Sequence, residues 1–348
     1  MDSKKQDEWI KKRQAHKNYT SVQINQGISA GNRSSLAEAI TIIESSHNVD
    51  RSIAFEIMNY CMPLSGNAIR IGITGVPGVG KSSFIEQIGI LLVNKGIKVA
   101  VLSIDPTSEK NNGSILGDKT RMNQLAASEL AFIRPSPSGK SLGGVARKTR
   151  ETMLLCEAAG YEVIFIETVG VGQSETAVHA MVDMFLLLML PNSGDELQGL
   201  KRGIMEMADG ILVTKSDQDM HLQAEISKNH YKNALHLFPK NDANWAPFVN
   251  TCSILDEKTI EFAWNSIQQF ISHTKQSNFF NTKRNYQLKH WFIDSFNESI
   301  NQLVHEMCDQ EKFENEKKVI SLELSPYDAA EQLINQFIKK IQNGKNKL

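Results

Sequence analysis

The amino-acid sequence has few cysteines, almost no net charge and no long apolar run, and each shortage excludes a class of protein. Four cysteines among 348 residues lie far apart without metal-ligand spacing, so we expect reduced and buried thiols. A net charge of -1 gives no electrostatic reason to expect nucleic acid as a partner. The longest apolar run, Met184 to Leu190, is too short to cross a membrane and is typical of a central strand.

The first twenty residues mix acidic and basic side chains and contain no apolar core. This composition argues against a transit peptide and against a secretory signal, because both need other residue patterns. We therefore expect a cytoplasmic protein that partners neither nucleic acid nor a membrane.

The glycine-rich segment from Gly75 to Ser82 is the most informative part of the chain. It reads GVPGVGKS and matches the pattern G-x-x-x-x-G-K-S/T at every fixed position. The apolar run Ile71 to Thr74 before it is typical of a buried strand, and the apolar spacing from Ser83 to Val93 is typical of a helix. This motif binds nucleoside triphosphates between a strand and a helix, so a glycine turn without a ligand is disfavoured.

The residue types of this loop predict its chemistry. Glycines let backbone N–H groups turn towards phosphate oxygens in front of a helix N-terminus. We expect Lys81 to reach the β- and γ-phosphates as a catalytic group, and the Ser82 hydroxyl to ligate Mg²⁺. The expected nucleotide contacts in this loop are Gly75, Val76, Pro77, Gly78, Val79, Gly80, Lys81, Ser82 and Ser83.

Apolar runs alternate with amphipathic segments from about residue 69 to residue 273, which indicates a parallel sheet with crossover helices. The predicted strands are Ile71–Thr74, Val99–Ile104, Val163–Glu167, Met184–Leu190, Gly210–Thr214 and Phe248–Thr251. A helix over Leu36 to Ile43 with a Ser35 cap precedes them, and a helical apolar stripe from Trp291 to Leu303 follows. We expect an α/β P-loop NTPase with a mostly parallel sheet flanked by helices. Its predicted parts are a helical N-terminal element (1–65), the nucleotide-binding domain (66–274) and a C-terminal helical arm (275–348).

Three acidic residues are predicted to lie near the phosphates. Asp105 follows the strand that ends at Ile104, at the sheet edge where open α/β folds bind ligands. Asp118 lies in the glycine-flanked segment GSILGDKTR, and Glu167 ends a strand before the turn TVGVGQ. Because Mg²⁺ takes few protein ligands plus waters, we expect these carboxylates to act on it directly or through water. A solvated loop carboxylate is the alternative for each acid taken alone.

The run Thr214-Lys215-Ser216-Asp217 fits the pattern N/T-K-x-D, which selects guanine after a strand. In that pattern the aspartate accepts hydrogen bonds from the guanine N1–H and exocyclic amine, a pair that adenine lacks. Thr214 stands where asparagine is usual, and four residues alone are a weak signal. The loop Thr251-Cys252-Ser253 is of the kind that closes over guanine. We therefore expect GTP rather than ATP, with contacts from Thr214, Lys215, Asp217 and Ser253.

Taken together, these segments resemble the MeaB/ArgK-type P-loop GTPases of the SIMIBI class. The matching segments, from about residue 72 to residue 217, are GVPGVGKSSF, IDPTS, GSILGDKTRM, RPSPSGKSLGGVARKTRE, FIETVGVGQSE, LPNSGDELQGLKRGIMEMAD and TKSD. The resemblance implies a homodimeric, intrinsically slow GTPase that gates adenosylcobalamin loading of methylmalonyl-CoA mutase, or a close acyl-CoA mutase, and protects that enzyme. It implies Mg²⁺, GTP and GDP as ligands and a dimerising arm over 275–348. No sequence feature indicates that this chain alone binds cobalamin.

The resemblance also implies roles for residues around the nucleotide. Lys81 and Glu167 would be catalytic, and the metal ligands would be Ser82, Asp105, Asp118 and Glu167. The segment Asn192 to Arg202 is similar to a mobile loop that orders when the mutase binds. The implied switch and coupling residues are Gly170, Gly172, Gln173, Asp195, Glu196, Lys201 and Arg202. A solvated helix N-terminus is the alternative for the two acids of this loop, and both interpretations can hold together.

Two other function classes stay open at this point. A metal-insertion GTPase would need a His- or Cys-rich segment, and the sequence contains none. An ATP-dependent kinase or transport accessory protein would need adenine selectivity, against which Asp217 argues. No residue of the motifs is an obvious strong general base, which fits slow hydrolysis that a partner accelerates.

Overall fold

The computed structural model describes residues 20–45, 47–104, 122–135, 142–168, 174–191, 202–238 and 242–345. The chain divides into two compact units, the first ending at Asn281 and the second beginning at Thr282. The division into three parts, drawn from the sequence, stays a prediction.

The first unit is built on a seven-stranded sheet in the order β3-β2-β4-β1-β5-β6-β7, in which all neighbouring strands are parallel. The strands are β1 (Ile69–Gly75), β2 (Val99–Ile104), β3 (Ala131–Arg134), β4 (Val163–Thr168), β5 (Met184–Met189), β6 (Gly210–Val213) and β7 (Phe248–Thr251). The central strands are buried along almost their whole length, which explains why apolar residues dominate them in the sequence. The sheet confirms the predicted α/β class, and β3 is the one strand of this sheet that the sequence analysis missed.

Ten helices of the described residues surround this sheet, together with short 3₁₀ turns at Met62–Leu64 and Gln218–Met220. They are α1 (Ser21–Ser29), α2 (Arg33–Glu44), α3 (Asn48–Cys61), α4 (Lys81–Asn94), α5 (Asn123–Ala126), α6 (Leu142–Ala158), α7 (Ser174–His179), α8 (Arg202–Met207), α9 (His221–Leu235) and α10 (Glu257–Gln276). The predicted cap at Ser35 is wrong, because Asn32 caps α2 by accepting hydrogen bonds from the backbone N–H groups of Ser34 and Ser35.

The main core lies around α4, the helix that follows the glycine loop. Phe84 and Ile88 of α4 belong to a fully buried cluster with Phe165 of β4 and with Trp264 and Phe270 of α10. Packing on both sides fixes α4, and with it the end of the glycine loop, relative to the sheet.

Two ion pairs join helices of the first unit to strands of its sheet. Arg70 of β1 donates two hydrogen bonds to Glu157 of α6, at 2.7 and 3.0 Å, and both side chains are buried. Arg134, at the end of β3, pairs with Glu44 at the end of α2. The N-terminal helices are therefore tied to the sheet through α2.

The second unit consists of α12 (Pro326–Lys345) and of α11 (Phe279–Ile320) from Thr282 onwards; α11 is kinked at Cys308, where the backbone is not helical. The two helices are joined by Lys340, which donates to the Met307 carbonyl at 2.6 Å and pairs with Glu311 at 2.5 Å. Large apolar side chains are exposed along both helices, and they include Phe292, Phe296, Ile300, Leu303, Ile334, Ile338 and Ile341.

All four cysteines are free and buried, as the sequence analysis predicted. No helix within the described ranges has the length and apolar character needed to cross a membrane.

Candidate nucleotide-binding site

The glycine loop joins the end of β1 to the start of α4 and depends on glycine at three positions. Gly75 has φ +152°, and a Cβ there would lie 2.4 Å from the Leu188 carbonyl oxygen. Gly78 (φ +79°) and Gly80 (φ +96°) adopt left-handed conformations that other residues rarely take. No heavy atom lies within 4 Å of a Cβ built on either of them. The conformation of the loop therefore requires glycine at these positions, and the loop leaves space for a ligand at Gly78 and Gly80.

The other residues of the loop differ in exposure. Pro77 and Gly78 form its exposed tip, Val79 is buried, and Val76 and Ser83 are half-buried. The backbone N–H of Val79 bonds back to the Val76 carbonyl at 3.3 Å, which closes the turn. Their predicted nucleotide contacts stay predictions.

Lys81 is buried at the first position of α4, and its ammonium group turns into the loop. Its Nζ donates to the carbonyl oxygens of Gly75 at 2.8 Å and Val76 at 3.3 Å. Burial lowers the pKa of Lys81 from its ordinary value, and the nearby charges of Glu167 and Glu175 act in the opposite direction. This cation is therefore held inside the loop, where it is available to phosphate oxygens.

The fold brings Ser82 of α4 and Glu167 of β4 together, two residues whose assignment to one metal stays a prediction. The Ser82 hydroxyl donates to Glu167 Oε1 at 2.8 Å. In the parallel ladder of β1 and β4, Glu167 is opposite Ile73, so β4 ends beside the glycine loop. One residue later, the buried Thr168 hydroxyl donates to the Thr74 hydroxyl at 2.9 Å. These contacts bind the start of the segment after β4 to the base of the loop.

Glu175 also belongs to this site, although no sequence motif assigns it a role. It lies in the first turn of α7, is 1% exposed and contributes to the electrostatic environment of Lys81. Only its position after the strand end and the turn TVGVGQ indicates in the sequence that it is near the phosphates.

The guanine motif follows β6 and meets the loop after β7. Thr214 is buried, and its hydroxyl donates to the carbonyl oxygens of Val79 at 2.8 Å and Met189 at 3.2 Å. Lys215 is exposed and has a left-handed backbone, with φ +54°. The Ser253 hydroxyl donates to Asp217 Oδ1 at 3.2 Å, so two residues predicted to hold guanine are in contact.

Several predicted site residues lie outside the described residues: Asp105, Asp118, Gly170, Gly172, Gln173, Asp195, Glu196 and Lys201. Arg202 is the first residue of α8, and its backbone alone is described. The assignments of these residues to the metal or to coupling stay predictions.

Known proteins are similar to this chain in sequence. The family model described as methylmalonyl Co-A mutase-associated GTPase MeaB matches residues 36–309. The GTPase ArgK of Escherichia coli (strain K12) is 46% identical over 270 residues, which are 78% of this chain and 82% of that relative. The mouse protein described as methylmalonic aciduria type A homolog, mitochondrial, is 42% identical over 326 residues, with 89% of this chain and 78% of that protein covered.

Among solved structures, the chain is similar to a crystal structure of a LAO/AO transport system kinase. The TM-score is 0.70 and the sequence identity 37%, with 92% of this chain and 98% of that chain covered. This likeness supports the P-loop NTPase fold that the glycine loop predicts.

Proposed function

The chain belongs to the family of methylmalonyl-CoA mutase-associated GTPases, and on this premise we propose that it is a GTP-driven chaperone of a cobalamin-dependent acyl-CoA mutase. The family relationship and the P-loop fold establish a GTPase of the family associated with methylmalonyl-CoA mutase. The proposal adds that GTP binding and hydrolysis gate the loading of adenosylcobalamin and protect the mutase. The observation that carries it is the family match over residues 36–309, which includes every element of the nucleotide site.

The choice of GTP over ATP rests on Asp217. Its Oδ1 accepts a hydrogen bond from the Ser253 hydroxyl at 3.2 Å. Thr214, at the start of the same motif, connects the motif to the glycine loop. A carboxylate that accepts from guanine N1–H and the exocyclic amine would be left without both donors by adenine. The contact between Asp217 and Ser253 therefore supports a guanine site.

The donor set supports Mg²⁺ as the metal of this site. Mg²⁺ prefers hard oxygen ligands and keeps several waters. Ser82 Oγ and Glu167 Oε1, 2.8 Å apart at the end of β4, provide such oxygens in front of the glycine loop. We assign both residues, together with Asp105 and Asp118, to the metal. When bound, the ion offsets the negative charge that develops on phosphate oxygens during transfer.

The protein's own groups account for the remaining chemistry of hydrolysis. Lys81 would exchange its bonds to the Gly75 and Val76 carbonyls for bonds to β- and γ-phosphate oxygens. Glu167 would hold the Ser82 hydroxyl in the orientation that the metal needs. These electrostatic roles need no strong base, and they fit a slow intrinsic rate that rises when a partner orders the site.

The second unit supports the homodimer that the proposal includes. Large apolar side chains along α11 and α12 are exposed in the single chain, among them Phe292 at 69%, Ile334 at 58% and Ile300 at 38%. Exposed apolar stripes of this kind mark protein interfaces.

We assign Gly170, Gly172 and Gln173, and the loop with Asp195, Glu196, Lys201 and Arg202, to the coupling between mutase and nucleotide.

Cofactor loading of the mutase tests this proposal. Adenosylcobalamin transfer into purified cobalamin-free methylmalonyl-CoA mutase is followed by absorbance, with this protein added alone, with GDP or with GTP. The proposal predicts that loading depends on the nucleotide with wild-type protein and loses that dependence with Lys81→Ala. Loading that is the same with GTP, with GDP and without nucleotide would exclude the gating role but leave the GTPase assignment intact.

A further inference from the structure

The loop that holds Asp217 is itself fixed by a residue outside every motif of the site, Thr259. This threonine lies in the first turn of α10, six residues after Ser253. Its Oγ1 accepts a hydrogen bond from the Ser253 backbone N–H at 3.0 Å. The same oxygen lies 2.9 Å from the Ser253 carbonyl and 2.8 Å from the Asp256 carbonyl, so its single hydrogen is donated to one or shared between both.

The turn between β7 and α10 therefore closes around one hydroxyl group. Asp256 caps α10 by accepting from the Lys258 N–H at 3.0 Å, and its own N–H donates to the Ser253 carbonyl at 3.2 Å. Thr259 connects this cap to both polar backbone groups of Ser253. Hydrogen bonds from Thr259 and Asp256 thus restrain both the N–H and the carbonyl group of Ser253.

The fixed backbone in turn sets the direction of the Ser253 side chain. Ser253 Oγ donates to Asp217 Oδ1 at 3.2 Å and accepts from the Leu255 N–H at 3.2 Å. With its hydroxyl engaged on both sides, Ser253 holds one oxygen of the Asp217 carboxylate. That bond limits rotation of the carboxylate about its terminal torsion, which is otherwise soft.

We propose that Thr259 is a positioning residue for guanine recognition, which acts through Ser253 on the orientation of the Asp217 carboxylate. The inference rests on the proposed function in one respect, that Asp217 accepts from guanine. Without the Thr259 hydroxyl, the backbone of Ser253 loses a hydrogen-bond donor and an acceptor. The Asp217 carboxylate can then rotate away from the orientation in which it accepts from both guanine N1–H and the exocyclic amine. The part of the affinity that depends on both guanine donors is then lost, whereas phosphate binding at the glycine loop is retained.

The nucleotide pair GDP and IDP separates these two parts. IDP has the same phosphates and the same N1–H as GDP but lacks the exocyclic amine, so the ratio of their dissociation constants reports the second hydrogen bond to Asp217. Titration calorimetry of the full chain with Mg²⁺ gives this ratio for wild type, Thr259→Val and Thr259→Ser. Valine keeps the shape of threonine without the hydroxyl, and serine restores the hydroxyl. Thr274→Val is the matched control, because Thr274 is a buried threonine of the same helix that donates to the Ile271 carbonyl at 3.0 Å.

We expect wild type to prefer GDP over IDP by about tenfold or more, as for a hydrogen bond to a charged group. Thr259→Val should reduce that preference to less than about threefold by weakening GDP binding, with serine and the Thr274 variant close to wild type. An unchanged preference in a folded Thr259→Val protein would overturn the inference and leave the guanine site intact. Equal binding of GDP, IDP and ADP by wild type would overturn the guanine site as well.

If Thr259→Val does not fold, as judged by thermal melting, Ser253→Ala tests the same connection. It removes the hydroxyl between the Thr259-held turn and Asp217. The inference then requires the same loss of preference, and a wild-type ratio in Ser253→Ala would overturn it.

Discussion

The Thr214 hydroxyl donates a hydrogen bond to the Val79 carbonyl oxygen at 2.8 Å, and this bond joins the guanine motif to the glycine loop. Thr214 stands where the motif usually has asparagine, a carboxamide that donates through nitrogen. The threonine supplies a donor of its own from a buried position. The departure from the usual motif therefore preserves a connection between the base site and the phosphate site.

Thr214→Val should separate these two sites. It removes this donor from the buried Val79 carbonyl, and we expect GDP affinity to fall about tenfold, or ~1.4 kcal/mol. Thr214→Asn restores a donor and should stay within about threefold of wild type. Titration calorimetry measures both variants. Wild-type affinity in Thr214→Val would show that the bond has no part in nucleotide binding.

Ser82→Ala should suppress GTP hydrolysis mainly through the metal. The variant removes the hydroxyl that bonds to Glu167, and we expect turnover at saturating GTP to fall at least about tenfold. Phosphate release is measured over a range of Mg²⁺ concentrations. The control is GDP binding without Mg²⁺, which should change little. Turnover at the wild-type rate would contradict the assignment of Ser82 to the metal.

Lys81 gives nucleotide affinity a pH dependence whose sign follows from its environment. Burial lowers the pKa of Lys81 in the free protein, whereas bound phosphates favour the charged form and raise it. Nucleotide binding therefore takes up a proton at high pH. GDP affinity should be full below the free-state pKa of Lys81 and should decline as the pH rises through it, starting below 10.5.

A matched variant distinguishes this decline from titration of the guanine ring, which loses its own N1 proton in alkali. Arginine stays charged throughout this range, so in Lys81→Arg the contribution of residue 81 to the decline should disappear. Calorimetric titrations at a series of pH values compare the two proteins. Identical pH profiles would show that Lys81 is not the titrating group.

Strand positions were predictable because the physics of a central parallel strand is local to the sequence. β1, β4 and β5 are buried along almost their whole length; β4 and β5 contain apolar residues on both faces of the sheet, and β5 is a continuous apolar run. β3 was not predicted, and its length does not explain this, since β6 and β7 also have four residues and were predicted. Asn32 was not recognised as the α2 cap because the apolar spacing begins only at Leu36.

The nucleotide site divides in the same way. The glycine loop is one contiguous segment, so its residues are recognisable together. The contacts that join the parts are distant in sequence: Thr168 and Thr74 are 94 residues apart, and Asp217 and Ser253 are 36 apart. In the sequence, only its position after the turn TVGVGQ indicates Glu175. Thr259 contacts Ser253 six residues away, and its link to Asp217 depends on the distant contact between Ser253 and Asp217.

Breaking the buried pair of Arg70 and Glu157 should strongly destabilise the first unit, because it leaves the buried guanidinium without the Glu157 carboxylate. Glu157 also accepts from the Gly66 N–H at 2.6 Å, so Glu157→Ala removes a carboxylate that a buried guanidinium and a backbone donor share. We expect a loss of about 3–5 kcal/mol, measured by urea unfolding. The control is Glu261→Ala, which breaks the exposed pair with Lys95 and should cost less than about 1 kcal/mol. Equal effects of the two variants would exclude a special role for the buried pair.

The proposed chaperone role requires that the mutase couples to GTP hydrolysis, and single-turnover hydrolysis with and without purified methylmalonyl-CoA mutase measures this coupling. If the mutase orders the loop over 192–202, the wild-type rate should rise by about tenfold or more, since a supplied cation accelerates hydrolysis in other GTPases. In the double variant Lys201→Ala with Arg202→Ala, most of this acceleration should be lost. A wild-type rate that the mutase leaves unchanged would rule out the proposed coupling, and equal stimulation of the double variant would exclude this loop as the coupling element.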